Sequence, residues 1–351
     1  MKKHLGILIL IATAILIPSI ASTAISGDTT SRTASGEIRQ FSAEGSLVTG
    51  EPISATIVAP AGEEGRAQVA LAGAISRAQQ FSGEFFGPGG VASQLEELGK
   101  GNSMGLTPTG FDFIKRARVL APQTDGFFDI TAPSPKHIFI KSDWRRISLD
   151  DELRTITFKS DDIKLDLTKI ALGYACDLMM ETMLNDGFQN ASVTAGMVTR
   201  NTGRDIHTPW DVVVGFGETT STGTHRAYRY GLSNVGAATV TPGELGNNLV
   251  DPINKRQINW NGQLQSVTVI ATDAMTATAF ALAAYTLGPK YSIKFVKGQH
   301  SIRGIIVDGS GNLIASKDLG TNSVPYEQNR QTSTDGGPDD LRLKEREEKT
   351  Q

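Results

Sequence analysis

Residues Ser266–Pro289 read SVTVIATDAMTATAFALAAYTLGP, and this stretch decides the fold class. Ser266 to Ala271 alternates as a strand does. Asp273 stands at an N-cap, where its carboxylate can take an otherwise unpaired backbone N–H. Met275 to Leu287 then reads as an alanine-rich buried helix. A strand turning directly into a buried helix calls for a mixed, layered domain.

Working outward, Ser301–Val307 and Leu313–Ser316, with Asp308, Gly309 and Gly311 between them, predict a terminal hairpin. Upstream, Trp210–Phe216 and Ala191–Ala195 are strand-like, and the glycine-bearing stretch between them reads as a loop. Tyr174–Asn185 predicts a helix with Leu178, Met179, Met183 and Leu184 inward, ended at Gly187. Thr155–Phe158 and Ile163–Leu167 read as two strands across an Asp-rich turn. Thr109–Leu120 and Glu63–Phe81 read as helices, with the glycine-rich Gly83–Gly90 a loop. Ile53–Val58 reads as a strand closed by Pro60 and Gly62. Helices alternating with strands imply a mixed α/β or α+β domain, and no internal repeat is visible.

The 351 residues carry 34 basic and 37 acidic side chains, net −3, with 39% hydrophobic and 7% aromatic residues. That is ordinary globular composition, without the basic footprint or stacking surface of a nucleic-acid binder. Met1–His4 is basic, Leu5–Ile17 is apolar, and Pro18 precedes small residues, the order of a secretory signal peptide cleaved after Ala21 or Ala24. The apolar run is too short to span a bilayer, and no cysteine near it supports a lipoprotein. The expectation is an exported, periplasmic or extracytoplasmic protein with no membrane span after cleavage. Its expected parts are a signal peptide (1–24), a flexible lead-in (25–40), one folded domain (41–318) and a polar, disordered tail (319–351).

Chemistry-bearing motifs are sparse. One cysteine, Cys176, excludes an internal disulfide, and five histidines at 4, 137, 207, 225 and 300 show no metal-ligand spacing. Asp125, Asp129, Asp166, Asp177, Asp251 and Asp273 fall within short motifs. Each taken singly reads as a cap, a turn or a surface charge.

The motifs gain meaning from their order. TDGFFDIT (Thr124–Thr131) is followed by KLDLTKIALGYACD (Lys164–Asp177) and SVTAGMVTRNTG (Ser192–Gly203). PWDVVVGF (Pro209–Phe216), LSNVGAAT (Leu232–Thr239), NLVDP (Asn248–Pro252) and the opening stretch complete the series. This series resembles the ApbE-type FAD:protein FMN transferases over residues 41–318. The resemblance implies an α+β, T-fold type domain of mixed sheets and helices, with a flavin cleft between two lobes. It implies magnesium-dependent transfer of FMN from FAD to a threonine of a target flavoprotein.

Carried over by position, it implies flavin contacts at Phe127, Phe128, Asp129, Thr168, Tyr174 and Val250, with Asp166 fixing the loop. It implies metal-ligand positions at Ala171 (through its carbonyl), Thr278, Ala281 and Leu282. Several positions depart from the family pattern. The family's Ala-Asp-Ala-Leu-Ala-Thr helix is Ala277–Leu282 here, so the carboxylate has become Thr278 and the hydroxyl has become Leu282. A hard divalent cation is poorly served by these replacements. The family's histidine is Asn248, its second loop glycine is Met197, its Thr-Ser-Gly is Thr239–Thr241, and its basic central-loop residue is Leu172. FAD therefore remains the expected ligand while Mg2+ loses its expected ligands, and the transferase activity is expected to be impaired. The alternative is a non-catalytic member of the fold that binds flavin, or that binds an exported partner protein.

Overall fold

The computed structural model of the protein describes residues 36–131, 143–161, 163–218, 225–243, 249–316, 319 and 324–328. The expected signal peptide, His137 and Asn248 lie outside them. The first elements among the described residues form a hairpin, β1 (Ile38–Ser46) and β2 (Pro52–Pro60), and β1 begins three residues before Phe41. There follow α1 (Glu64–Phe86), α2 (Val91–Glu96), β3 (Ser103–Gly105) and α3 (Pro108–Gln123). Helix α1 runs through Gly83, predicted as loop, because Phe81 and Phe85 anchor its last turn in the core.

Two short strands, β4 (Ile147–Asp150) and β5 (Thr155–Phe158), form a small antiparallel sheet in the order β3-β5-β4. Ile163–Leu167 is not a strand. Among the described residues no strand ladder includes it; its Asp166 N–H donates to the Ile130 carbonyl (2.8 Å), and β5 pairs with β4 instead.

Helix α4 (Thr168–Asn185) starts six residues earlier than the pattern suggested. β6 (Ala191–Ala195) and β7 (Val198–Thr202) form a tight hairpin where a loop was expected. Gly196, at φ +54°, and Met197 are its two turn residues, and the left-handed backbone is what a two-residue hairpin turn requires. The chain continues through β8 (Trp210–Glu218), β9 (His225–Leu232), β10 (Val235–Val240), β11 (Leu264–Ala271), α5 (Ala274–Gly298), β12 (Arg303–Asp308) and β13 (Leu313–Ala315). A last strand, β14 (Val324–Gln328), pairs with β9, so sheet structure reaches into the segment expected as disordered tail.

Eight strands make one sheet in the order β1-β2-β6-β7-β10-β11-β12-β13, and each pairing is antiparallel. Helices α1, α4 and α5 cover one face with the main core. A three-stranded sheet, β14-β9-β8, covers the other face over β10–β12 with a smaller core that includes Val212, Val214, Ile270 and Ile305. Double coverage explains why all six residues of β10 are buried rather than alternating.

Helix α5 kinks at Gly288 (φ +73°), whose missing Cβ leaves room for the Trp260 ring. Pro289 cannot donate to the Tyr285 carbonyl as a helical residue would, and the Trp260 indole N–H does so at 2.9 Å. No helix among the described residues is long and apolar enough to cross a membrane.

Candidate functional site

Two features of α5 position the site: how its N-terminus is held, and which face its middle turns present. Asp273 caps the helix, accepting from the Thr276 N–H and hydroxyl, both at 2.8 Å. Asp177, on α4 and only 3% exposed, accepts from the next two backbone N–H groups, Ala274 (2.9 Å) and Met275 (3.2 Å). The same carboxylate takes Arg200 Nη1 and Arg116 Nη2, each at 2.8 Å, and Arg116 also reaches Asp273 at 3.4 Å. Burial pushes Asp177 up from its ordinary pKa, and the Arg200 and Arg116 charges and the Ala274 N–H work against that. For Asp273, burial also acts upward. The Thr276 bonds with the Arg116 and Arg200 charges outweigh it, and the net shift is downward. Both acids thus serve the helix terminus, as the reading of single aspartates as caps expected.

Helices α4 and α5 cross closely. A Cβ on Gly173 would come within 2.6 Å of Thr278 Oγ1 and 2.7 Å of Met275 Cα, so only glycine fits. Thr278 is fully buried at this crossing and gives its hydroxyl back to the Ala274 carbonyl at 2.8 Å. Ala281 is likewise fully buried. Ala171 lies in the first turn of α4, where its carbonyl belongs to the helix ladder. Of the four implied metal positions, Leu282 lines a cleft.

That cleft is lined by Phe127, Phe128 and Asp129 after α3, and by Asp166 and Lys169 at the start of α4. Leu249, Val250 and Pro252 from one loop, and Leu282 and Thr286 from successive turns of α5, complete it. The space among these residues, open solvent included, is ≈ 390 Å³. Asp129 is 8% exposed. Its Oδ1 accepts from the Thr131 N–H and hydroxyl, both at 2.8 Å, and its Oδ2 accepts from the Trp144 N–H at 3.1 Å. Burial nevertheless raises its pKa above the usual carboxylate value. Asp166 accepts from the Thr168 N–H (3.3 Å) and hydroxyl (2.8 Å), and pairs with the Lys169 ammonium. It therefore fixes the start of α4 and borders the cleft as well.

The structure brings Phe127, Phe128, Asp129, Val250 and Leu282 together. Thr168 stands beside the cleft, bonded to Asp166. Tyr174 is not among the lining residues. It is 1% exposed, packs against Phe81 and Phe113, and donates its hydroxyl to Asp112 (2.9 Å) and the Thr109 carbonyl (3.1 Å). Its place in an aromatic core, facing α3, is what separates it from the cleft. Thr239, one of the departures from the family pattern, is buried in the sheet, its hydroxyl 2.8 Å from that of Thr268. Leu172 is core. Cys176 is fully buried, with burial pushing its thiol pKa up, as expected of an inert thiol.

Sequence reasoning did not single out Lys169, Leu249, Pro252 or Thr286 as lining residues. A signal existed for Thr286, which lies one helical turn beyond Leu282 and so shares its face.

The side chains at the implied metal positions offer no free oxygen to a magnesium ion, and the cleft carboxylates Asp129 and Asp166 already hold donors of their own. Leu282 presents hydrocarbon to the cleft, the Thr278 hydroxyl is spent on a carbonyl, and Asp273 is committed to its cap and Arg116. Among the described residues no three His, Cys, Asp or Glu side chains gather as a metal cluster.

Comparison with known proteins agrees with this architecture. Residues 133–306 match the model of the ApbE family. The fold is similar to that of an ApbE protein from Thermotoga maritima, with TM-score 0.64 and 21% identity over 80% of this chain and 97% of that one. It is also similar to the flavin transferase ApbE of Vibrio cholerae, with TM-score 0.61 and 16% identity over 84% and 98% of the two chains. A third likeness is the flavinyl transferase ApbE of Pseudomonas stutzeri, with TM-score 0.60 and 18% identity over 80% and 95%. No curated protein matches. At these identities the structural likeness establishes an ApbE-like α+β fold, and the match to the family model in the same chain agrees with it. Residues 133–306 thus carry the ApbE family match, and the described fold is ApbE-like.

Proposed function

We propose that this protein is an exported flavin-nucleotide-binding member of the ApbE family, in which metal-assisted transfer of FMN from FAD to a threonine of a target flavoprotein is impaired. The family relation and the likeness to flavin transferases support the substrate class. The impairment rests on one observation: Leu282 lines the cleft where an oxygen ligand is implied, while Thr278 is turned into the helix crossing.

The family reaction breaks the pyrophosphate of FAD, joins the FMN phosphate to a threonine hydroxyl and releases AMP. Negative charge develops on the leaving phosphate, and a site without a divalent metal ion to meet it loses several kcal/mol of transition-state stabilisation. The residues that remain suit binding. Phe127 and Phe128 with Leu249, Val250 and Leu282 offer apolar surface to a flat ring. Asp129 is held rigid by three donors and can take a hydrogen bond from a ligand N–H.

The test is to incubate the mature protein with FAD, magnesium and a threonine-bearing flavoprotein acceptor, and to look for the covalent FMN adduct by mass spectrometry. Little or no adduct is expected. Stoichiometric, magnesium-dependent labelling would contradict the reading. Export is supported by the leader-like order of Met1–Ala24. Amino-terminal sequencing of the processed chain is expected to give Ser22 or Ile25 as the first residue.

A further inference from the structure

Lys255 stands out in the loop that follows the cleft residues Val250 and Pro252. Its backbone is left-handed, φ +58°, a conformation that lysine rarely adopts and glycine adopts freely. Its Nζ is covered by protein and has no hydrogen-bond partner, although the residue as a whole is only partly buried. A buried ammonium left unpaired is costly and points to a missing anion.

The acids whose charges Lys255 feels are Asp129, Asp143 and Asp251, with Arg146 acting against them. Each of these acids already has donors of its own. Asp129 holds Thr131 and Trp144. Asp143 pairs with Arg145 at 2.8 Å. Asp251 accepts from the Ile253 and Asn254 N–H groups and from Asn254 Nδ2 (2.8, 3.0 and 2.7 Å). The carbonyl of Asp251 takes the Lys255 N–H at 2.9 Å, which ties the lysine to the cleft loop. Lys169 supplies a second ammonium, lining the cleft itself from the first turn of α4.

We propose that Lys169 and Lys255 together form a binding site for the pyrophosphate of a flavin dinucleotide, in which two ammonium groups do the work of charge neutralisation without a divalent cation. The proposal rests on the flavin-nucleotide reading above and adds how the phosphates are held. Lys255 would reach the ligand by a rotamer change of its four-carbon stem that uncovers the Nζ. Ammonium groups bind phosphate as point charges, so the affinity they confer falls with added salt.

The test uses the mature chain in the presence of chelator, titrated with FAD, riboflavin and inorganic pyrophosphate. The variants are Lys255→Gly, which suits the left-handed backbone and keeps folding out of question, Lys169→Met, and the two combined. The wild type is expected to bind FAD and pyrophosphate, and Lys255→Gly to keep its melting temperature. FAD and pyrophosphate affinity should fall about tenfold or more in the double variant, with riboflavin affinity unchanged. Loss of FAD and riboflavin in step, or FAD affinity unchanged in the double variant, would overturn the lysine site while leaving flavin binding intact. Wild-type binding of pyrophosphate but of no flavin, lost in the double variant, would uphold the lysine site and overturn the flavin reading. Binding of neither FAD nor pyrophosphate would overturn both.

Discussion

The first turn of α5 and the turns that follow use their polar groups in opposite ways. At the N-terminus, Asp273, Asp177, Arg116 and Arg200 form a network in which both carboxylates and the first backbone N–H groups are satisfied. About one to two turns later the same helix hides Thr278 in the α4 crossing and presents Leu282 to the cleft. The polar groups of that network are paired, while two positions where the family resemblance implies metal ligands hold Leu282 and a Thr278 hydroxyl already bonded to the Ala274 carbonyl. A fold match alone does not carry the activity with it.

The largest effect separating the two regions should come from Asp177→Ala. It strands two arginines and two helix N–H groups, and a loss of about 3 kcal/mol is expected in urea unfolding. That is the low end for breaking a buried pair, because Arg116 and Arg200 keep some access to solvent. A loss below about 1 kcal/mol, the scale of an exposed pair, would show that the network is not structural. Gly173→Ala comes next. Its Cβ meets helix backbone at 2.7 Å, and overpacking of about 1–3 kcal/mol is expected by the same measurement.

Asp273→Ala should remove about 1 kcal/mol at neutral pH as a lost cap. The folded-state pKa of Asp273 lies below the ordinary 3.8, so its contribution is fully present above that value and is lost as pH falls through the folded value. The gap between wild type and variant should therefore narrow below about pH 4, checked by unfolding across pH. The smallest effect is expected from Thr278→Val, within about 1 kcal/mol and without change in flavin affinity, since its hydroxyl serves only the Ala274 carbonyl. A loss of flavin binding in that variant would return Thr278 to the site.

What the sequence made legible follows from how local each signal is. The Asp273 cap, the buried helix after it and the terminal hairpin are written in adjacent residues, and they stand where expected. The β6–β7 hairpin was missed because Gly196 reads as loop, whereas its left-handed backbone makes a two-residue turn. Ile163–Leu167 has strand composition without a neighbouring edge to pair with, a fact only the assembled fold supplies. For the cleft, ordered motifs pointed to Phe127, Phe128, Asp129 and Val250, which the fold brings together. They also pointed to Tyr174, whose rotation about α4 toward Phe81 and Phe113 no motif encodes. Lys169 and Lys255 stayed hidden because a lysine in a loop or first turn looks solvated until burial and partners are known.

The most direct test of the central claim is a fluorescence titration of the mature protein with FAD, first with magnesium and then with chelator. Equal affinity within about twofold in the two conditions is the predicted result. An affinity at least about tenfold weaker in chelator would contradict it, and would mean that the chain holds a working cation site despite Leu282 and Thr278.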